Sequence, residues 1–519
     1  MFLKLYVLFS VALHFGAAFN LRCSPIYIGK PNLLGATILD VQASEVHNHT
    51  TFSIGPGTND GGQYTISFCN VTVVHTHPGW DDKVSTQVWL PLHNWNGKFQ
   101  ALGGGGYSTG MGHIYLAYAV QRGFASASTD GGLVGQTPAA VTDLTWALSS
   151  KHNVNWFLLE NYASEATKDM AEIGKQIIRS YYGKPAEYHY FNGCSGGGRQ
   201  GLMMAQNFPE AFDGILAIAP AINIETFIPA GFWPTQVMKQ DGIYPSPCEI
   251  KAFVKAAIEA CDSLDGIEDS IISLPDACNV TAYDFVGQSY MCNGTQYILT
   301  TSGAKVVQSA WSGSGKDGYY GLNKDAELTS YYIPTLCTTN GTCHTSGSEL
   351  FRNWISFLIA KDPDFAIDKM TEKEFFGILR RSKAEYQSLF ASNSPDLSAF
   401  KANGGKMITW HGLADEVIPP FGTIKYYEEV LKHDESAHEF YRFFEAPGVG
   451  HCFGGVGPVP NGALTQLVDW VEKGVAPDTL HATRGKNNAS KDLCMYPLKE
   501  KFIGESPGNL SSFVCTRNT

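Results

Sequence analysis

An apolar, aromatic run, Tyr188-His189-Tyr190-Phe191, stops at Asn192-Gly193-Cys194-Ser195-Gly196-Gly197-Gly198, and a helix-forming run, Gln200-Gly201-Leu202-Met203-Met204-Ala205-Gln206, follows at once. The run before the glycines reads as a buried strand. Gly193, Ser195 and Gly197 spell G-x-S-x-G between strand and helix, the setting of a nucleophile elbow. Glycines on both sides permit the strained turn that lifts a serine hydroxyl above a sheet edge. This junction restricts the chain to folds in which strands feed helices across a parallel sheet.

The remaining pattern agrees. Thr72-Val73-Val74-His75, Ser85-Thr86-Gln87-Val88-Trp89-Leu90 and Phe99-Gln100-Ala101-Leu102 read as strands, the last ending in Gly103-Gly104-Gly105-Gly106. A helix is expected over 114–122, a strand over 123–130 and a long amphipathic helix over 165–182. Gly214-Ile215-Leu216-Ala217-Ile218 is the next buried strand. The alternation then stops over 221–399 and resumes with a strand at 406–412, another at 439–445 and a closing helix at 465–473. Strands alternating with helices indicate an α/β fold with a parallel sheet, here with a large insertion.

Two strand ends carry further chemistry. Asp415 follows the 406–412 strand, and His451 lies in a glycine-rich loop after the next one. A serine hydroxyl needs an imidazole to take its proton, and the imidazole needs a carboxylate to fix its tautomer. Ser195, Asp415, His451 is the chain order of the α/β-hydrolase fold. For the oxyanion hole the sequence suggests the Gly196 N–H and one amide of the 103–106 loop, with Gly105 favoured. Cys194 adjoins the serine and Cys452 the histidine, so a bridge between them would clamp nucleophile and base together.

The first 18 residues have one lysine, an apolar core over 5–15 and Gly16-Ala17-Ala18, as a secretory signal peptide does. Twelve cysteines and seven N-x-S/T sequons, at Asn48, Asn70, Asn279, Asn293, Asn340, Asn488 and Asn509, suit a secreted glycoprotein. A formal net charge of -12 disfavours nucleic acid and anionic membranes as partners. The expected organisation is a signal peptide (1–18), a catalytic domain (19–220 with 400–519) and a lid (221–399).

The motifs Gly193-Cys194-Ser195-x-Gly-Gly-Arg199-Gln200-Gly201, His411-Gly-x-x-Asp415 and Gly450-His451-Cys452 resemble those of the tannase/feruloyl esterase family of secreted serine esterases. The resemblance runs from Cys23 to Cys515. It implies hydrolysis of phenolic acid esters, with ferulate-type hydroxycinnamates of plant cell walls as the first substrate class and gallate esters as the alternative. It implies a structural calcium ion in the lid, held by Asp262, Asp265 and Asp269 carboxylates and the Ile267 and Ile271 carbonyls; hard oxygen donors around a tight turn suit calcium. It also implies the pairs Cys23–Cys69, Cys194–Cys452, Cys261–Cys278 and Cys494–Cys515. Cys248, Cys292, Cys337 and Cys343 are left with three possible connectivities, of which Cys248–Cys292 with Cys337–Cys343 is favoured. The chain departs from the family at Asp130-Gly131-Gly132-Leu133, where relatives often carry a histidine after the glycines.

Overall fold

The computed structural model describes residues 22–133, 138–315, 318–339, 341–484, 489–504 and 512–517. The expected signal segment and the sequons at Asn340, Asn488 and Asn509 lie outside them. Of the other sequons, Asn48, Asn279 and Asn293 are exposed and Asn70 is half-buried.

Nine strands make one sheet: β1 (Thr37–Ser53), β2 (Gly62–Thr76), β3 (Val84–Pro91), β4 (Lys98–Leu102), β5 (Ala125–Thr129), β6 (Tyr188–Cys194), β7 (Gly214–Ile218), β8 (Lys406–Gly412) and β9 (Tyr441–Ala446). Their spatial order is β1-β2-β3-β5-β4-β6-β7-β8-β9. The pairs from β1 to β5 are antiparallel, and every pair from β5 to β9 is parallel. Helices cover both faces, which is why β7 and β9 are wholly buried; β7 reads as an unbroken apolar run, while β9 also buries Arg442 and Glu445. β1 is the edge; most of its side chains stay in solvent and its sequence is accordingly polar.

Helices α2 (Ala166–Tyr182), α3 (Gly196–Asn207) and α4 (Pro420–His433) pack one face through Met170, Ile177, Leu202 and Tyr427 against Phe99, Phe191 and Phe443. On the other face α1 (His113–Gln121) and α5 (Ala463–Lys473) contribute Leu116, Leu467 and Trp470, which meet Tyr190, Trp410 and Phe444. Each such large side chain removed from water is worth about 1.5–3 kcal/mol. Two expected boundaries shift. The helix expected from residue 165 is preceded by a π-helical turn, Asn161–Glu165, and the helix after the serine begins at Gly196, because its glycines can adopt helical dihedrals directly under the elbow.

The insertion has its own core of aromatic and aliphatic side chains, including Trp354, Phe351, Tyr386 and Phe390. That core also takes in Tyr107, Leu144, Trp146 and Tyr162 from the segment before α2, and Val417 and Ile418 from the loop after β8. It is therefore continuous with the loops that carry the candidate site. The helix Glu372–Phe390 starts at a capping box in which Thr371 and Glu374 exchange hydrogen bonds. Among the described residues the chain closes with two hairpins, Thr479–Arg484 with Ala489–Cys494 and Lys499–Phe502 with Phe513–Thr516, joined by Cys494–Cys515. The other bridges are Cys23–Cys69, Cys194–Cys452, Cys248–Cys292, Cys261–Cys278 and Cys337–Cys343, and no cysteine is free.

Candidate active site

Ser195 sits between β6 and α3 with φ +64° and ψ −121°, in a region costly to any residue with a side chain. The strain is held by the Ser195 N–H donating to the Ile218 carbonyl at 3.0 Å and by the Ser195 carbonyl accepting from Arg199 and Ala221, both at 3.0 Å. The flanking glycines are packing necessities. A Cβ on Gly193 would lie 2.6 Å from the Gly197 backbone, and one on Gly197 would lie 2.8 Å from the Gly104 carbonyl oxygen.

His451 and Asp415 arrive from the ends of β9 and β8. His451 Nε2 is 2.9 Å from Ser195 Oγ, and its Nδ1 is 2.8 Å from Asp415 Oδ2. Asp415 is fully buried. Its Oδ1 accepts the Val417 and Ile418 N–H groups, each at 2.8 Å, and its Oδ2 also meets His411 Nε2 at 3.0 Å. Burial alone would push the carboxyl up. The His451 charge and hydrogen bonds from the two imidazoles outweigh it and hold Asp415 well below the usual carboxylate range, so it is ionised. Burial likewise pushes His451 down, but the Asp415 charge and hydrogen bond win and raise it above an ordinary histidine.

Several supports had no role assigned from sequence. His411, at the end of β8, is fully buried and its Nδ1 is 2.9 Å from Thr423 Oγ1 on α4. The signal was its i,i+4 spacing to Asp415. Glu416 accepts the His451 backbone N–H at 2.9 Å, fixing the base's loop. The Cys194–Cys452 bridge, whose clamping role the sequence does suggest, is present with Cα atoms 5.9 Å apart and ties the residue before the serine to the residue after the histidine.

The expectation for Gly105 needs correction. Its N–H donates to the Ser108 carbonyl at 3.2 Å inside its own turn, so it does not face the serine. The neighbouring Gly106 N–H has no acceptor among the described residues, and a Cβ built on Gly196 would lie 3.4 Å from the Gly106 nitrogen. Gly196 opens α3, where the first N–H groups have no intrahelical acceptor. The amides of Gly196 and Gly106 are thus adjacent and free. The Gly106 carbonyl accepts from the Tyr162 hydroxyl at 2.8 Å. Buried Arg199, on α3, donates to the Tyr162 and Ala163 carbonyls at 2.8 and 2.9 Å, bracing this loop against the elbow helix.

The insertion reaches the acid loop through Asn323, whose Nδ2 donates to the Leu413 carbonyl at 2.8 Å, and Tyr332, whose hydroxyl donates to the Val417 carbonyl. Leu133 packs against the core of the insertion. In the acidic lid loop, Asp262 accepts the N–H groups of Asp269, Ser270 and Ile271, and Asp265 accepts that of Ile267. Asp269 Oδ1 is buried without a hydrogen-bond partner. Burial, against the pull of Lys491 and with Asp265 and Asp262 alongside, raises the Asp269 carboxyl. Asp262 and Asp265 stand near enough to raise Asp269, and its orphaned oxygen is a hard donor of the kind a divalent cation takes.

Residues 69–516 match the family model described as tannase and feruloyl esterase. A probable feruloyl esterase of Arthroderma benhamiae is 37% identical over 529 aligned residues, covering 99% of this chain and 97% of the relative. A tannase of Aspergillus oryzae is 27% identical, covering 94% and 90%. Among solved structures, a tannin acyl hydrolase from Aspergillus niger superposes with a TM-score of 0.85 at 28% identity, covering 96% of this chain and 95% of that one. With the sheet order and the row of serine, imidazole and carboxylate already in place, these similarities establish that the chain is a carboxylic ester hydrolase with the α/β-hydrolase fold and belongs to the tannase and feruloyl esterase family.

Proposed function

We propose that this chain is a secreted serine esterase that releases ferulate-type phenolic acids from plant cell-wall esters through an acyl-enzyme. The observation that carries the mechanism is the unbroken row Ser195 Oγ, His451, Asp415 at 2.9 and 2.8 Å. His451 Nε2 takes the serine proton as Oγ attacks the ester carbonyl, and the imidazolium is stabilised by ionised Asp415. The developing oxyanion is met by the Gly196 and Gly106 N–H groups. His451 returns the proton to the leaving alcohol, then activates water to release the acid. The six disulfides and the signal-like first 18 residues support secretion, and the exposed sequons support glycosylation.

The acyl preference for ferulate is supported by the 37% identical relative, whose name is "probable feruloyl esterase". A gallate preference is the second reading, supported by the TM-score of 0.85 to a tannin acyl hydrolase. Comparing kcat/KM on methyl ferulate, caffeate, p-coumarate, sinapate and gallate decides between them. The ferulate reading expects at least a tenfold preference for a hydroxycinnamate over gallate; the reverse order rejects it.

Calcium belongs to this proposal as a structural ion. Asp262, Asp265 and Asp269 would hold it with the Ile267 and Ile271 carbonyls, locking the turn that follows Cys261. Chelation with EGTA is expected to lower the thermal midpoint by several degrees, as loss of a ligand specific to the folded state does. Added Ca²⁺ restores it in wild type and fails to do so in Asp269→Ala. A midpoint indifferent to EGTA would remove calcium from the account.

A further inference from the structure

A second cluster of titratable side chains lies where the end of β2 meets the first turn of α2. His75 and Asp169 are fully buried there, and His77 nearly so. His75 Nε2 is 3.3 Å and His77 Nε2 2.9 Å from Asp169 Oδ2, and one donor atom from each of the three residues lies within 4.8 Å of the others. His75 Nδ1 has no hydrogen-bond partner and its Nε2 has only the 3.3 Å approach to Asp169, while Asp169 Oδ1 and Asn161 Oδ1 are also buried without partners. Burying such groups without partners is costly.

The surroundings are those of a coordination site. His77 Nδ1 is 2.7 Å from Asp82 Oδ2, and Asp82 is itself fixed by the Thr76 hydroxyl, the His77 N–H and the Asn161 amide. In this structure His77 Nε2 is hydrogen-bonded to Asp169 Oδ2 at 2.9 Å; with an ion bound, the carboxylate on Nδ1 would set the tautomer and leave the Nε2 lone pair to share the ion with that oxygen. Bonds of ~2.0–2.1 Å in tetrahedral geometry place donors about 3.3 Å apart, close to the separations found. Lys168 lies 3.9 Å from Asp169 Oδ1, but its ammonium is drawn to Glu165 at 2.5 Å. Two imidazoles with one carboxylate suit zinc-like ions and not calcium.

We propose that His75, His77 and Asp169 bind one divalent transition-metal ion of the Zn²⁺ class, with Asp82 as the outer partner of His77. The ion would brace the strap that holds the oxyanion loop. Asn161, bonded to Asp82, is followed directly by Tyr162 and Ala163, which anchor Gly106 and Arg199.

The test starts from full-length protein stripped with EDTA, resupplied with excess Ca²⁺, equilibrated with Zn²⁺ and passed through gel filtration. Metal is then counted by mass spectrometry. One Zn²⁺ per chain is expected, and Co²⁺ in its place should give the intense visible bands of a tetrahedral site. His75→Gln and Asp169→Asn should each weaken retention at least tenfold, while His47→Gln, an exposed histidine beside Glu45, should match wild type. If the buried variants fail to fold, the wild-type stoichiometry and Co²⁺ spectrum decide alone. Wild type that retains no Zn²⁺ and gives no Co²⁺ bands overturns the proposal, as does a folded His75→Gln that keeps a full equivalent.

Discussion

Asp415→Asn is expected to lower kcat on a phenolic methyl ester by about 10³–10⁴-fold with KM little changed. The loss does not come from geometry, because an asparagine oxygen can still accept the Val417 and Ile418 N–H groups that hold the loop. It comes from Oδ2, which faces two imidazoles, His451 at 2.8 Å and His411 at 3.0 Å. An amide NH2 there presents protons to both, so His451 carries its own proton on the wrong nitrogen and cannot accept one from Ser195. The pH profile supplies a second readout. His451 must be neutral to act as base, so activity rises as pH rises through its pKa. In wild type Asp415 raises that pKa above 6.5 against the pull of burial. Without the carboxylate charge, burial prevails and the acid limb moves to lower pH. A variant that keeps the wild-type limb would show that Asp415 does not govern His451.

Replacing Cys194 and Cys452 together by alanine is expected to cost both stability and turnover. The bridge spans 258 residues. Chain entropy assigns closure of such a loop about 5.5 kcal/mol, an upper bound because three other bridges lie inside it. With an unfolding entropy of about 1 kcal/mol/K for a chain of this size, the thermal midpoint should fall by up to about 5 °C. Turnover should fall further than stability explains, since the bridge also sets the separation of nucleophile and base, and Cys452 itself holds φ +63°. Removing Cys337–Cys343 is the control. It closes a hairpin only six residues apart, so about 2 kcal/mol is at stake and kcat should not change. Equal effects of the two deletions on kcat would deny the Cys194–Cys452 bridge a positioning role.

The parts legible in the sequence are those where burial or strain leaves few residue choices. β6 and β7 are buried on both faces, so they appear as apolar runs, and the elbow needs glycine where backbone passes within van der Waals contact of backbone. Asp415 and His451 stand in the loops just after β8 and β9, where a buried run gives way to glycine and polar residues. The two closing hairpins were not foreseen, because short, half-exposed strands carry little pattern and are held by Cys494–Cys515. Nothing in the sequence separates Gly105 from Gly106, because four consecutive glycines look alike. Which amide is spent in the turn depends on Ser108, and which carbonyl is gripped depends on Tyr162, 56 residues further on. His411 escaped a role because a buried histidine at a strand end is indistinguishable from a packing residue until its partner is seen.

The claim beneath all of this is that the Ser195 hydroxyl is the nucleophile. Reaction with a fluorophosphonate, followed by intact-mass and peptide analysis beside turnover of methyl ferulate and methyl gallate, tests it directly. The account predicts one adduct per chain, on the peptide holding Ser195, complete loss of turnover in step with labelling, and neither label nor turnover in Ser195→Ala. Turnover retained by Ser195→Ala, or an adduct on another serine that tracks inactivation, would contradict it.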